Sequence, residues 1–239
     1  MQLRGYRTLI TGGTAGIGLA CAQLFAEAGA EVTITGRDVA RGERVAASDA
    51  RISFIRADMA DLGSVETLVR QVCSVDVLVN NAATFPAALT VEQDAASFTR
   101  TLDTNVRGAY FLTAGLVPGM LERGRGSIVN VTSMVAAKGV PGASVYSSSK
   151  AAVESLTRTW AVEFGPRGVR VNAVAPGPTR TDGVLAEWGE TNEQLGRSLP
   201  LGRTADPTEI AQAVVFLASP AASFLTGTIV HVDGGGIAL

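Results

Sequence analysis

An α/β fold, with one parallel sheet covered by helices on both faces, is what the sequence predicts, and three observations predict it. Short β-branched apolar runs alternate with longer stretches of helical periodicity along the chain, the pattern of repeated βαβ units. The apolar runs are continuous rather than alternating, as strands buried on both faces require. The 239 residues hold no linker, low-complexity segment or short-period repeat, so one large domain over 1–239 accounts for the length.

The elements follow in order. "RTLIT" (7–11) reads as a strand and "GIGLACAQLFAEAGA" (16–30) as a helix. "EVTITG" (31–36) is a strand, "DVARGERVAAS" (38–48) a helix, and "ISFIRAD" (52–58) a strand with a helix over 61–73 after it. "VDVLVNN" (75–81) is the fourth strand, followed by one helical region over 92–123. "GSIVNVTS" (126–133) and a helix over 145–164 come next, then the strand "VRVNAVAP" (169–176). "PTEIAQAVVFLAS" (207–219) is the last helix and "GTIVHVDGG" (227–235) the last strand. The segment 178–203 is too long for an ordinary connection and reads as a lid or pocket wall. Seven parallel strands of this kind predict the order 3-2-1-4-5-6-7, a doubly wound sheet.

Composition narrows the function. Apolar residues at 46% and charged residues at 18% suit a folded globular chain and exclude a disordered one. A formal net charge of −2 from 20 basic and 22 acidic residues, with no basic run, argues against a nucleic-acid partner. Cys21 lies in an apolar helical pattern and reads as an inert core thiol; neither it nor Cys73 has metal-ligand spacing, so no metal is expected. No apolar run reaches about 18 residues, and the first strand begins almost at once. The expectation is a soluble cytoplasmic protein without a membrane partner.

Three stretches carry chemistry. In "LITGGTAGIGLA", Gly12, Gly13, Gly16 and Gly18 lie between the first strand and first helix. Glycines there let backbone N–H groups reach a phosphate at a helix N-terminus. Their spacing, G-x-x-x-G-x-G, departs from the usual dinucleotide fingerprint. The second strand ends "ITGRD", with Gly36 where a ribose-binding acid is expected and Arg37 beside it. A missing carboxylate and an added guanidinium favour the 2′-phosphate of NADP(H) over NAD(H). Asp38 reads as a helix N-cap rather than the ribose acid. In "VYSSSKAAVESL", Tyr146 and Lys150 are four apart, so in a helix they share a face with Cβ atoms about 5–6 Å apart. A phenol ionises near pKa ~10, and a neighbouring cation lowers that value. The pair is a possible acid–base device, although Y-x-x-x-K alone is weak evidence.

"TGGTAGIG", "NNAA", "NVTS" and "YSSSK", in that order, resemble the short-chain dehydrogenase/reductase (SDR) family over nearly the whole chain. The resemblance implies a Rossmann fold and a nicotinamide cofactor. In the glycine turn it assigns cofactor contacts to Gly12, Thr14, Gly16, Ile17 and Gly18, and beyond the second and third strands to Arg37, Asp58 and Met59. Asn81, Ala82 and Ala83 follow, with Ala83 standing where the family has glycine. Pro176, Gly177, Thr179 and Thr181 would approach the nicotinamide carboxamide, with Pro178 and Thr179 replacing the more usual apolar pair. It casts Tyr146 as general acid/base and Ser133 as donor to the substrate oxygen. Lys150 would hold the nicotinamide ribose and depress the tyrosine pKa, and Asn105 would hold a water linking Lys150 to solvent. Such a set suits hydride transfer to a carbonyl, where a developing alkoxide needs fixed donors and a proton.

The expected activity is NADP(H)-dependent interconversion of a ketone and a secondary alcohol, both small molecules. The alternatives are an NAD-dependent sugar or polyol dehydrogenase of the same family and a non-catalytic dinucleotide-binding sensor. His231, the only histidine, reads as a satisfied structural residue. Trp188 reads equally as a pocket wall or an exposed hinge aromatic. The helix over 145–164 and the stretch 105–120 are apolar around more than one face, which with the family resemblance predicts a homotetramer, or failing that a homodimer. Trp160 is a candidate for that interface.

Overall fold

The computed structural model describes residues 3–239. Seven strands form one parallel sheet: β1 (Arg7–Ile10), β2 (Glu31–Gly36), β3 (Ile52–Arg56), β4 (Val77–Asn80), β5 (Gly126–Val131), β6 (Val169–Pro176) and β7 (Ile229–Val232). Their order is β3-β2-β1-β4-β5-β6-β7, as the sequence predicts. The chain winds outward from β1 to β3 and then crosses back to β4. The connections leaving β1 and β4 therefore diverge, which opens a crevice at the carboxyl ends of these strands.

Adjacent residues of each central strand serve opposite faces. Leu9, Leu78 and Ile128 belong to one apolar cluster, and their neighbours Ile10, Val79 and Val129 to the other. All six are fully buried, which is why these strands read as unbroken apolar runs. Helices α1 (Gly16–Glu27) and α9 (Pro207–Ala218) cover the first face, with Phe25, Ile210 and Leu217 packed inward. Helices α3 (Leu62–Val72), α5 (Ala109–Arg123) and α6 (Ser144–Phe164) cover the second through Leu68, Leu112, Met120 and Trp160. Helix α2 (Val39–Ala46) is capped by Asp38, whose carboxylate accepts from the Arg41 N–H at 3.0 Å; this is the N-cap predicted for it. The remaining helices are α4 (Ala95–Leu102), α7 (Asp182–Trp188) and α8 (Glu190–Arg197).

Two local features depart from the sequence-based expectation. The region 92–123 is not one uniform helix: α4 and α5 are separated by a π-helical turn, Asp103–Gly108. Gly108 permits it, since a Cβ there would meet the Met59 carbonyl carbon at 3.0 Å. Strands β1, β3, β4 and β5 also end one to two residues early, because the chain turns off the sheet there to line the crevice.

Buried polar groups tie the layers together. Asn80 of β4 and Asn130 of β5 are opposite each other in register. The Asn80 amide donates to Asn130 Oδ1 at 2.9 Å and to Thr113 of α5 at 3.1 Å. The Asn130 amide in turn donates to Thr157 of α6 at 2.8 Å. This fixes α5 and α6 against the strands whose ends carry the site.

Candidate active site

A cavity of about 470 Å³ runs along the carboxyl ends of β1, β2, β4, β5 and β6. The glycine turn forms its floor. Gly12 and Gly16 have φ of 66° and 54°, a left-handed backbone that favours glycine. A Cβ on Gly12 would stand 2.9 Å from Ala82 Cα, and one on Gly18 would meet the Gly12 carbonyl and Asn81 Nδ2. The turn is pinned from across the crevice: Thr11 Oγ1 accepts from the N–H groups of Asn81 and Ala82, both at 3.0 Å. The Asn81 amide donates to the carbonyls of Thr11 and Gly12 at 2.9 and 3.1 Å. The result is a cradle of bare backbone at the start of α1, with no side chain in the way. It fits a dinucleotide pyrophosphate by shape and by the positive end of the helix dipole.

At one end of the cavity lie Arg37, Arg41, Arg100 and Asp58. Arg100 Nη2 stands 3.2 Å from Asp58 Oδ2, and the Ala60 N–H donates to Oδ1 at 3.0 Å. Burial disfavours the Asp58 carboxylate, but the Ala60 N–H, Arg100 and Arg37 outweigh it and hold the pKa below its ordinary value. Arg41 is 3.8 Å from Asp38. Among the described residues Arg37 has no carboxylate partner within 4.0 Å. A Cβ on Gly36 would stand 2.8 Å from Thr14 Cγ2, so a side chain at the position expected to bear a ribose-binding acid would require Thr14 to shift. Arg41 and Arg100 were not singled out by the sequence. Arg41, one helical turn after Arg37, was within reach of that reading; Arg100, on α4, was not.

At the centre, α6 places Tyr146 in its first turn and Lys150 one turn further. Ser133, at the end of β5, caps a short 3₁₀ turn, Met134–Ala136, through the Val135 N–H at 3.4 Å. Lys150 is 3% exposed, and its ammonium donates to the Val131 carbonyl at 2.8 Å and lies 5.6 Å from the centre of the Tyr146 ring. Burial lowers the lysine pKa to about 8. Burial also pushes the tyrosine up to about 12, with a hydrogen bond to Ser133 pulling the other way. Among the chain's own groups, burial of the phenol thus outweighs the neighbouring cation on which the sequence-based expectation rests. Desolvation of the phenol is the larger effect, and the lysine's charge is directed at a backbone carbonyl.

Asn105 is not on the cavity wall. It sits in the π turn behind it, donating to the Thr84 carbonyl at 2.9 Å and Ser149 Oγ at 3.0 Å, and accepting from the Thr84 N–H at 2.9 Å. With Lys150 it borders a void of about 10 Å³, close to the least space that holds a water. Thr181 and Thr179 do line the cavity, but their hydroxyls are engaged. Thr181 caps α7 through the Val184 N–H at 3.2 Å, and Thr179 donates to the Gly177 carbonyl at 3.0 Å. Ile17, Met59, Ala83, Pro176 and Gly177 also lie on the wall. Three residues flagged elsewhere resolve as follows. Trp188 lines the cavity. Cys21 is buried with its thiol pushed up to about 12, an inert state. His231 is in β7, outside this cavity, and its Nδ1 has no hydrogen-bond partner among the described residues, so it is not the satisfied histidine expected.

A dinucleotide cradle, a Ser–Tyr–Lys cluster with its lysine buried, and the cavity space beyond it together define a nicotinamide-dependent oxidoreductase acting on CH–OH groups. Comparison with known proteins makes this specific. The family profile described as Enoyl-(Acyl carrier protein) reductase matches residues 12–236, and the chain belongs to the short-chain dehydrogenase/reductase family. A cis-4-hydroxycyclohexanecarboxylate dehydrogenase of Sinomonas cyclohexanicum is 40% identical over 95% of this chain and 94% of its own. A 3-oxoacyl-[acyl-carrier-protein] reductase of Thermotoga maritima is 36% identical over 98% and 99%. Among solved structures, a short chain dehydrogenase/reductase family protein matches with TM-score 0.96 at 57% identity, over the whole of both chains. A 3-ketoacyl-(acyl-carrier-protein) reductase from Brucella melitensis, complexed with NADH, matches with TM-score 0.92 at 34% identity, over 98% of this chain and 99% of its own. Among the described residues no helix is long and apolar enough to cross a membrane.

Proposed function

We propose that the protein is an NADP(H)-dependent oxidoreductase that interconverts a small-molecule ketone and a secondary alcohol, with Tyr146 as general acid/base. The convergence of Tyr146, Ser133 and Lys150 midway along a cavity that begins at the phosphate cradle carries this reading. A bound nicotinamide would supply or accept the hydride. The protein's part is to hold the oxygen and move its proton. Ser133 and Tyr146 donate hydrogen bonds where negative charge grows on a carbonyl oxygen. A phenol raised to about 12 is fully protonated at neutral pH, as an acid for reduction must be. Lys150 stabilises the phenolate that proton loss creates, and Asn105 positions Thr84 and α6 around it, with a second lone pair on its carbonyl oxygen for a water in the adjoining void. Arg37, with no carboxylate partner, and the crowded Gly36 support NADP(H). The NADH-bound relative supports the second reading, an NAD(H)-dependent dehydrogenase. The chain acts as one domain with 178–203 closing the substrate side, in the cytoplasm where a shared nicotinamide pool serves it.

Tyr146→Phe removes one hydroxyl. Turnover of a confirmed ketone should fall by roughly 10³-fold or more, while cofactor binding measured by fluorescence titration persists. Near-wild-type turnover rejects the assignment.

Assembly as a homotetramer belongs to the same proposal. On α5 and α6, Phe111 is 48% and Val162 77% exposed, apolar surface that pairing across a two-fold axis would cover. Trp160 is not part of that surface. It is 4% exposed, packed between the rings of Tyr110 and Phe164 of its own chain. The paired substitution Phe111→Glu with Val162→Glu should reduce the mass read by light scattering behind a sizing column. A wild-type mass of one chain at micromolar concentration would dismiss the assembly.

A further inference from the structure

The substrate end of the cavity is walled by three segments that are far apart in sequence. Phe85 comes from the loop after β4, Val140 from the loop before α6, and Val184 and Trp188 from α7, with Leu195 of α8 behind them. Two hydrogen bonds fasten α7 to the first segment. The Trp188 indole N–H donates to the Phe85 carbonyl at 3.3 Å, and the Ala87 N–H donates to Glu187 Oε1 at 2.9 Å. The Phe85 ring meets the Tyr146 ring edge-on, with centroids 6.1 Å apart and planes at 69°. A Cβ on Gly183 would lie 3.5 Å from Phe85 Cζ, and one on Gly142 would lie 3.9 Å from Trp188 Cη2. The fit at both glycines is close but leaves no clash.

Charge is distributed unevenly around this space. Apart from Lys150, every charged side chain on the cavity wall belongs to the other end: Arg37, Arg41, Asp58 and Arg100. Three cations outside it, on neighbouring segments, are occupied. Arg180 pairs with Glu193 at 3.2 Å, Arg203 with Glu209 at 2.7 Å, and Lys138 donates to the Gly236 carbonyl at 2.7 Å. A carboxylate or phosphate entering here would lose its water and gain no counter-ion, an unfavourable exchange. Flat aromatic and branched aliphatic walls instead favour an apolar ring, with only the carbonyl reaching Ser133 and Tyr146.

Resting on the carbonyl-reductase reading above, we propose that the substrate is a neutral alicyclic or aryl ketone, and that Trp188 determines this specificity. It does so as a wall of the pocket and, through its bond to the Phe85 carbonyl, as the residue that seats Phe85 against Tyr146.

The test uses the full-length enzyme with NADPH and NADH against 4-methylcyclohexanone, 4-oxocyclohexanecarboxylate and butanedione. The neutral ring should be turned over with kcat/KM at least about 30-fold above the carboxylate. Trp188→Ala should lower kcat/KM for the neutral ring about 10-fold or more, chiefly through KM, and affect butanedione less. Trp188→Phe keeps an aromatic wall without the N–H donor and should recover part of that loss. Val184→Lys places a cation in the pocket and should raise turnover of the carboxylate. Binding is read independently as quenching of tryptophan fluorescence by the neutral ketone, absent in Trp188→Phe. Equal or better use of the carboxylate by wild type, or an unchanged substrate ratio in Trp188→Ala, overturns this proposal and leaves the reductase reading standing. No turnover of any ketone with either cofactor overturns both.

Discussion

Arg37, Arg41 and Arg100 crowd one end of the cavity around a single aspartate, while Phe85, Val140, Val184 and Trp188 line the other without a charge among them. The two ends are also held differently. The cofactor end presents glycine backbone, held by Thr11 Oγ1 accepting from the N–H groups of Asn81 and Ala82 and by the Asn81 side-chain amide donating to the Thr11 and Gly12 carbonyls. The substrate end is walled by side chains, with α7 tied to the loop after β4 by two bonds, each between a side chain of α7 and a backbone group of the loop. A group that never changes can be gripped by atoms that every residue possesses. A substrate must be chosen by side chains, and these sit on two loops and on α7, outside the sheet.

The sharpest way to break this contrast is to add one methyl group at the cofactor end. Gly18→Ala puts a Cβ against the Gly12 carbonyl and Asn81 Nδ2, where neither neighbour can yield without moving a strand end. Cofactor affinity by titration calorimetry should drop by about 100-fold, with a stability loss of roughly 1–3 kcal/mol. A comparable methyl at Gly183, where the nearest atom is 3.5 Å away, should leave cofactor affinity within about twofold.

Arg37→Asp probes the charge at that end. It removes a cation and offers an acceptor for a ribose hydroxyl, so the kcat/KM ratio of NADPH to NADH should fall about 10- to 100-fold. A wild type that already prefers NADH would contradict the role given to Arg37.

The smallest effect concerns Lys150, the cation between the two ends. Its folded pKa of about 8 lies below its ordinary 10.5, so the unfolded chain holds the proton more tightly. Between those values stability rises with pH, and below pH 8 the full cost, on the order of 3 kcal/mol, is present. Tyr146, raised to about 12, acts in the opposite sense, and its contribution is lost as pH climbs from about 10 to 12. Urea unfolding of the cofactor-free protein should show a gain of roughly 1 kcal/mol from pH 7 to pH 9. Lys150→Met should abolish that slope and be the more stable at pH 7.

The sheet order and the cavity's cofactor end were legible in the sequence because each rests on a local signal. Strands buried on both faces leave unbroken apolar runs, and the glycine turn is contiguous. What was not legible depends on one-residue phase or on distant contact. The π turn at Asp103–Gly108 adds a fraction of a turn inside an apolar stretch, which blurs the helical period without breaking it. The bond from Trp188 to Phe85 spans 103 positions, and nothing local to either residue announces it. The burial that raises the Tyr146 pKa was not legible either, because spacing shows a neighbouring cation and not the loss of water around the phenol.

The asparagine pair beneath the site bears on how the chain reaches this fold at all. In a parallel sheet of nearly uniform apolar strands, sliding β5 past β4 by two residues keeps every side chain on its proper face, so hydrophobicity alone discriminates weakly between registers. Asn80 and Asn130 remove that ambiguity. Only when they are opposite do their amides find each other and the hydroxyls of Thr113 and Thr157. In the observed alignment Asn80 Oδ1 is the one atom of the two side-chain amides without a partner among the described residues, and separating the pair would add others, at a cost of roughly 1–3 kcal/mol for each. The two asparagines thus act as a checksum on strand alignment, read out by the hydroxyls that α5 and α6 bring to them.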